Sequence, residues 1–223
     1  MDEPADATST RPPHALPVVP LFPLPEFFLF PRTVMPLRIF EPRYQQMVED
    51  LLDTSGRLVI GAVVPGHERE LMGAPPVHPV AGLGEIVKHE HLPNGHYVIM
   101  VMGLQRVRLS EVPSTRLYRK VEVEPLAESA VPPASADELR RQLTAAVLAR
   151  APGVPLPSDM PMSQLADLLL LHLRMDAATK IALFSRLDVL ARARGALEQH
   201  VRLAPTKPPP APPDPSGDPP HSP

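Results

Sequence analysis

The sequence predicts an α+β protein: a β-rich first part carrying one early helix, then a helical last part. Three observations predict it. Apolar residues before Glu128 fall in short runs separated by Pro, Gly and Asn, as strands and turns require. Pro93-Asn94-Gly95 divides two such runs, a strong short-range signal for a hairpin. After Glu128 the apolar spacing changes to three and four residues, the period of a helix.

Composition narrows the functional classes. With 43% hydrophobic and 21% charged residues, the 223-residue chain is an ordinary globular sequence, long enough for one large domain or two small ones. Its net charge of −3 gives no bulk attraction to nucleic acid or anionic lipid. There is no Cys, which excludes disulfides, thiolate catalysis and Cys-based zinc sites. The N-terminus, MDEPADATSTRPPH, has no apolar core and does not read as a secretory signal. No apolar run approaches the roughly 20 residues of a membrane-spanning helix, and the lack of Cys favours the cytoplasm, which is the expected location. Residues 1–15 and 204–223 are rich in Pro and poor in apolar side chains, and both are expected to be disordered tails. The second contains P-x-x-P spacing but no stronger sign of a dedicated reader. Between them, residues 16–128 form the expected β-rich unit and residues 129–203 the helical unit.

In chain order, Leu16–Leu21 is the first strand, and its prolines predict a place at a sheet edge or strand end. Phe27–Phe30 is a short apolar segment stopped by Pro31, and Val34–Phe40 is a second strand. Pro42 to Asp53 reads as a helix, with Tyr44, Met47, Val48, Leu51 and Leu52 on one face, Pro42 in the first turn and Gly56 beyond the end. Arg57–Val64 is apolar on both faces and predicts a central strand. Pro65–Pro79 is a long loop, and Val80–His91 with His96–Leu109 form the hairpin. Leu117–Leu126 alternates as a half-exposed strand. Ser135-x-x-Glu138 predicts a capping box before a helix through Val147. Ser163 is expected to cap a helix reaching Leu173, and Asp176 another running from Ala177 to about Leu203.

Few residues suggest chemistry. His89 and His91 share a strand face near His96, but no third fixed ligand is evident, so neither a metal nor any cofactor is expected. Ser163, His172 and Lys180 lack a strained nucleophile turn, so no catalytic pair and no enzyme activity are expected. Glu41, Arg43 and Tyr44 could form a charged recognition site; helix-start electrostatics, a local ion pair and a core tyrosine are the simpler account. Gly103 marks a bulge or bend, and Arg106 and Arg108 share a strand face. A solvated face is the plainer reading of that arginine pair, and contact with an acidic peptide the sharper one. Phe27, Phe28 and Phe30 are three of the six Phe, packed between Pro25 and Pro31. Any one suits a core, but burying all three is difficult, so a peptide-contacting surface is expected there. Met72 in the long loop is a flexible apolar contact. The candidate peptide contacts are therefore Phe27, Phe28, Phe30, Met72 and Arg106.

Three segments together carry a resemblance. They are Leu16–Tyr44, with its Pro31 and its Pro36-Leu37-Arg38-Ile39-Phe40-Glu41-Pro42-Arg43-Tyr44 run; Leu92-Pro93-Asn94-Gly95 with Gly103-Leu104-Gln105-Arg106; and the helical end around Gln164–Asp167 and Ala178–Leu190. In this order they resemble the N-terminal substrate-binding domain of the Lon protease family, over roughly residues 14–203. The Phe40–Tyr44 version is most similar to single-domain, protease-free members. The resemblance implies a PUA-like β pseudo-barrel followed by a helical subdomain. It implies binding of unfolded or tagged polypeptide segments, in the manner of an adaptor to a separate protease or chaperone. Pro31, Pro36, Leu37, Phe40, Glu41, Pro42, Arg43, Tyr44, Gly95, Gly103, Leu104 and Arg106 fall on its framework positions. The sequence has no G-x-x-x-x-G-K-[ST] loop, so ATP hydrolysis and proteolysis do not carry over. The rival readings are a PUA-like nucleic-acid module, disfavoured by net charge −3 and 4% aromatics, and a self-associating structural role.

Overall fold

A computed structural model describes residues 16–132 and 136–203. The two tails and Ser135 lie outside the described residues. The elements run β1 (Val18–Leu24), β2 (Val34–Ile39), α1 (Pro42–Leu52), β3 (Arg57–Ala62), β4 (Val80–His91), β5 (Tyr97–Val112), β6 (Arg119–Pro125), α2 (Asp137–Arg150), α3 (Met162–His172), α4 (Ala177–Phe184) and α5 (Val189–Arg202). This is the expected α+β order.

The six strands form one mixed sheet in the order β2-β5-β4-β3-β1-β6, and β6 also pairs with β5. Strand β5 is long, 16 residues, so its first part pairs with β2 and its last part with β6. The β4–β5 hairpin turns at Pro93–Gly95, where the sequence places it. Strand β1 departs from the expected edge position: it lies between β3 and β6. Its prolines are accommodated by stagger. Val18–Leu21 pairs antiparallel with β6, and Leu21–Leu24 pairs parallel with β3. Each proline therefore sits in a half that is laddered on one side, where a missing N–H costs no bond.

The Phe27–Phe30 segment is the largest departure from expectation. It crosses the sheet, and its backbone lies against Gly82 on β4 and Gly103 on β5. A Cβ at Gly82 would overlap the Leu29 carbonyl oxygen, and one at Gly103 the Phe30 carbonyl oxygen. Only glycine permits this approach. The sheet ladder shifts register beside Gly103, so the bend expected there is present as a β-bulge. Thr33 closes the crossing: its hydroxyl donates to the Phe30 carbonyl at 2.7 Å, and its own carbonyl accepts from Gly103 N–H at 2.8 Å.

Two apolar cores line the sheet and a third fills the helical unit. Leu29, Ile39, Tyr44, Met47, Val48, Ile60 and Ile99 join α1 to the sheet. Leu21, Val59, Val107 and Val121 form a second cluster between strands. Helix α1 starts at Pro42 and buries the face read from its spacing, except that Leu52 is exposed. Two tyrosines latch it from the strand side. Tyr118 Oη donates to Asp50 at 2.7 Å, and Tyr97 Oη to Glu49 at 3.4 Å. Burial first, then the Asp50 hydrogen bond and charge, push the Tyr118 phenol up to about 12. Burial likewise raises Tyr44 and Tyr97.

Several expected helix starts differ. Helix α2 follows Ala136, and Glu138 accepts from Arg141 and Gln142; the capping box expected at Ser135 lies outside the described residues. Pro161, not Ser163, stands at the start of α3. Asp176 caps α4 as expected, accepting from Thr179 N–H at 2.8 Å. The expected single helix to Leu203 is two helices: Asp188 caps α5 afresh, accepting from Ala191 N–H at 2.9 Å. Ser129 fills the break, donating its N–H to Leu187 O and accepting Val189 N–H on its hydroxyl. A second cap and an outside hydrogen-bond partner explain the break.

Two outcomes follow. Gly103→Ala should lower the unfolding free energy by about 1–3 kcal/mol, read from urea denaturation, since the crossing backbone would have to shift. The raised phenols stabilise the fold in their neutral form. Their contribution is complete below pH 10.0, the ordinary tyrosine value, and is lost as pH rises toward about 12. Denaturation midpoints measured across that window should fall, and Tyr118→Phe should flatten the fall.

Candidate functional site

The expected aromatic surface is buried, which corrects the sequence reading. Phe30 is 0% and Phe28 7% exposed, and Phe27 is half-buried against the α1 core. The backbone crossing resolves the difficulty of burying all three: Phe28 and Phe30 point into the helical core, while Leu29 joins the sheet core. Phe184 of α4 receives them, with ring centroids 5.6 Å from Phe28 and 5.2 Å from Phe30 in an edge-on contact.

Arg106 is likewise no surface contact in this structure, being 2% exposed. The helical unit covers its strand face there and leaves Arg108 in solvent beside Glu124. The Arg106 guanidinium lies 4.8 Å from the Phe184 ring centroid and 5.8 Å from that of Phe30. Its Nε donates to Phe184 O at 2.6 Å, and its two terminal nitrogens bond both Asp167 oxygens at 2.6 and 3.0 Å. Glu128 Oε1 accepts from Arg106 at 2.8 Å and from Arg192 at 2.6 Å. Arg192, also fully buried, lies 3.0 Å from Asp167 and donates to Arg186 O. Two cations and two carboxylates from β5, the linker, α3 and α5 thus neutralise one another. Burial pushes the Asp167 carboxyl up, and Arg106 and then Arg192 act against it. Sequence reasoning missed Glu128 and Arg192. Asp167 had a visible signal: it is the lone acid in the apolar run of α3.

A different set of framework residues surrounds an open groove. About 160 Å³ in volume, it is predominantly apolar and lies between the ends of β1 and β2. Leu24, Pro25, Leu37, Phe40, Tyr44 and Leu71 form its apolar lining. Phe40 follows β2 directly, with 59% of its surface exposed, beside the His96 ring. Met72, 83% exposed, follows Leu71 in the long loop. Arg43 fixes that loop. Its guanidinium donates to the carbonyls of Leu71 and Gly73, on either side of Met72, and pairs with Glu41 at 2.8 Å. The simpler reading of Glu41, Arg43 and Tyr44 thus describes their packing, with one addition: Arg43 holds the loop that carries Met72 outward. Of the expected contacts, Met72 is exposed one residue beyond Leu71 of the groove lining, while Phe28, Phe30 and Arg106 meet in the buried junction. Among the described residues no group of three or more His, Asp or Glu is placed to hold a metal ion, and no helix is long and apolar enough to cross a membrane.

A mixed six-stranded sheet is thus joined by a buried ion cluster to a helical unit, and an apolar groove lies at the start of α1. The comparisons identify the protein's class. The family model for the ATP-dependent protease La (LON) substrate-binding domain matches residues 18–200, and the chain belongs to that family. Solved structures agree on the fold. The N-terminal domain of a Mycobacterium avium complex Lon protease superposes with a TM-score of 0.62 at 18% identity, over 83% of this chain and 98% of that one. A Lon N-terminal domain protein from Xanthomonas campestris gives 0.61 at 20% identity, over 82% and 98%. Among curated proteins, Lon protease of Dictyoglomus thermophilum is 26% identical over 184 residues, and Lon protease 2 of Sorangium cellulosum 28% over 201. The matched parts cover 78% and 79% of this chain but 23% of each relative.

Removing Asp167 leaves two buried arginines sharing the single carboxylate of Glu128. Asp167→Ala should therefore cost about 3–5 kcal/mol in urea denaturation. Arg108→Ala, at the exposed pair with Glu124, should change stability by no more than about 0.5 kcal/mol.

Proposed function

We propose that this protein binds exposed apolar segments of unfolded or tagged polypeptides through the groove beside Phe40, and presents them to a separate protease or chaperone. The observation that carries the reading is the pairing of an open apolar groove with two protruding apolar side chains, Phe40 and Met72. Elsewhere on the sheet, aromatic side chains are drawn into the cores. An exposed phenylalanine at a groove, with a flexible methionine one residue beyond Leu71 of the lining, suits a ligand with scattered apolar side chains. Membership of a substrate-binding domain family supports the same reading.

An unfolded model protein should bind more tightly than its folded form in a fluorescence anisotropy titration. Phe40→Ser should weaken that binding about tenfold, as expected for losing a half-buried aromatic contact. Its unfolding midpoint should stay near that of the parent, because Phe40 is 59% exposed. Equal affinity for folded and unfolded forms would sink the proposal. Phe28→Ser is a poor probe, since it would open the helical core. Presentation to a protease or chaperone is tested separately, by crosslinking in cell extract: recovery of such a partner together with its substrates supports it, and recovery of substrates alone removes it.

A further inference from the structure

We infer that the groove takes its polypeptide as an added strand on the open edge of β2, and that it prefers an acidic residue flanked by apolar ones. The inference rests on the groove reading and names the ligand's conformation and charge.

Three observations lead there. First, β2 ends the sheet order and pairs only with β5 among the described residues. Gly103 N–H donates to Thr33 O, and Thr33 stands opposite Gly103 when the β2–β5 register is continued by one residue. Hydrogen-bonded pairs alternate along an antiparallel ladder, so Met35, Leu37 and Ile39 point their backbone groups at β5. Val34, Pro36 and Arg38 then point theirs outward. The proline agrees, since it falls where no ladder donor is needed.

Second, the groove lies on that outward side. Leu37, Arg38, Ile39 and Phe40 line one wall and Pro23–Pro25 the other, while Tyr97–Ile99 of β5 do not line it. Third, the lining carries an uncompensated charge. Arg43 is committed to Glu41 and the loop carbonyls, whereas Arg38 is exposed and has no ion-pair partner among the described residues.

Alternation turns these facts into a pattern. On an added strand, the residue opposite Arg38 places its side chain on the Arg38 face. Its two neighbours, opposite Leu37 and Ile39, point to the other face, beside those two apolar side chains of the lining. An extended apolar–acidic–apolar segment satisfies both.

The test uses the full chain and labelled peptides containing Leu-Glu-Leu, Leu-Gln-Leu or Leu-Lys-Leu within the same Ser/Thr flanks, read by anisotropy. Affinity should fall in that order, by about fivefold at each step. Arg38→Glu should reverse the order while leaving the unfolding midpoint unchanged. N-methylation of alternate peptide nitrogens should weaken binding in one phase and spare it in the other. Equal binding of the three peptides overturns the charge preference and leaves the groove reading standing. Methylation without effect in either phase overturns strand addition. Failure of every peptide to bind overturns the groove reading itself.

Discussion

The structure depends on how closely one stretch of backbone lies on the sheet. Leu29 and Phe30 cross β4 and β5 where Gly82 and Gly103 have no side chains. That contact decides the direction of the neighbouring side chains: Leu29 to the sheet core, Phe28 and Phe30 to the helical core. Phe184 and the Arg106 guanidinium then close over the two rings. Desolvating Arg106 would be costly alone, since an unpaired buried cation loses its hydration. Asp167 and Glu128 supply the counter-charge, and Arg192 balances the second carboxylate. Each component of the junction presupposes the one before it.

Much of the fold was legible because its signals are local. The Pro93–Gly95 turn, the Pro42 helix start and the stripe Tyr44, Met47, Val48, Leu51 require only neighbours along the chain. The failures are non-local. Nothing in the residues near Phe27–Phe30 reveals that glycines more than 50 positions away open a path for them. The stagger that admits Pro20 and Pro23 to an interior strand depends on where β3 and β6 end. The break before Asp188 depends on Ser129, which is distant in sequence.

The candidate site followed the same division. Arg106 was visible as a motif residue, but its burial depends on acids from the linker and α3. Met72 was legible as a loop methionine, and the structure adds the reason for its posture, Arg43 bonding the carbonyls on both sides of it. Leu71 and Arg38 were passed over because each becomes meaningful only beside the other wall of the groove. Framework and recognition are not separate categories in this region. Arg43 belongs to the helix start and also determines the shape of the groove mouth.

The crossing has a thermodynamic corollary. Phe28 and Phe30 are anchored by backbone to the sheet and by ring to the helices, so neither part can open without stripping apolar surface from the other. Melting the helices would uncover Phe28 and Phe30, so the stability of the helical unit is coupled to that of the sheet. Two halves that are recognisable in sequence thus share one seam of packing.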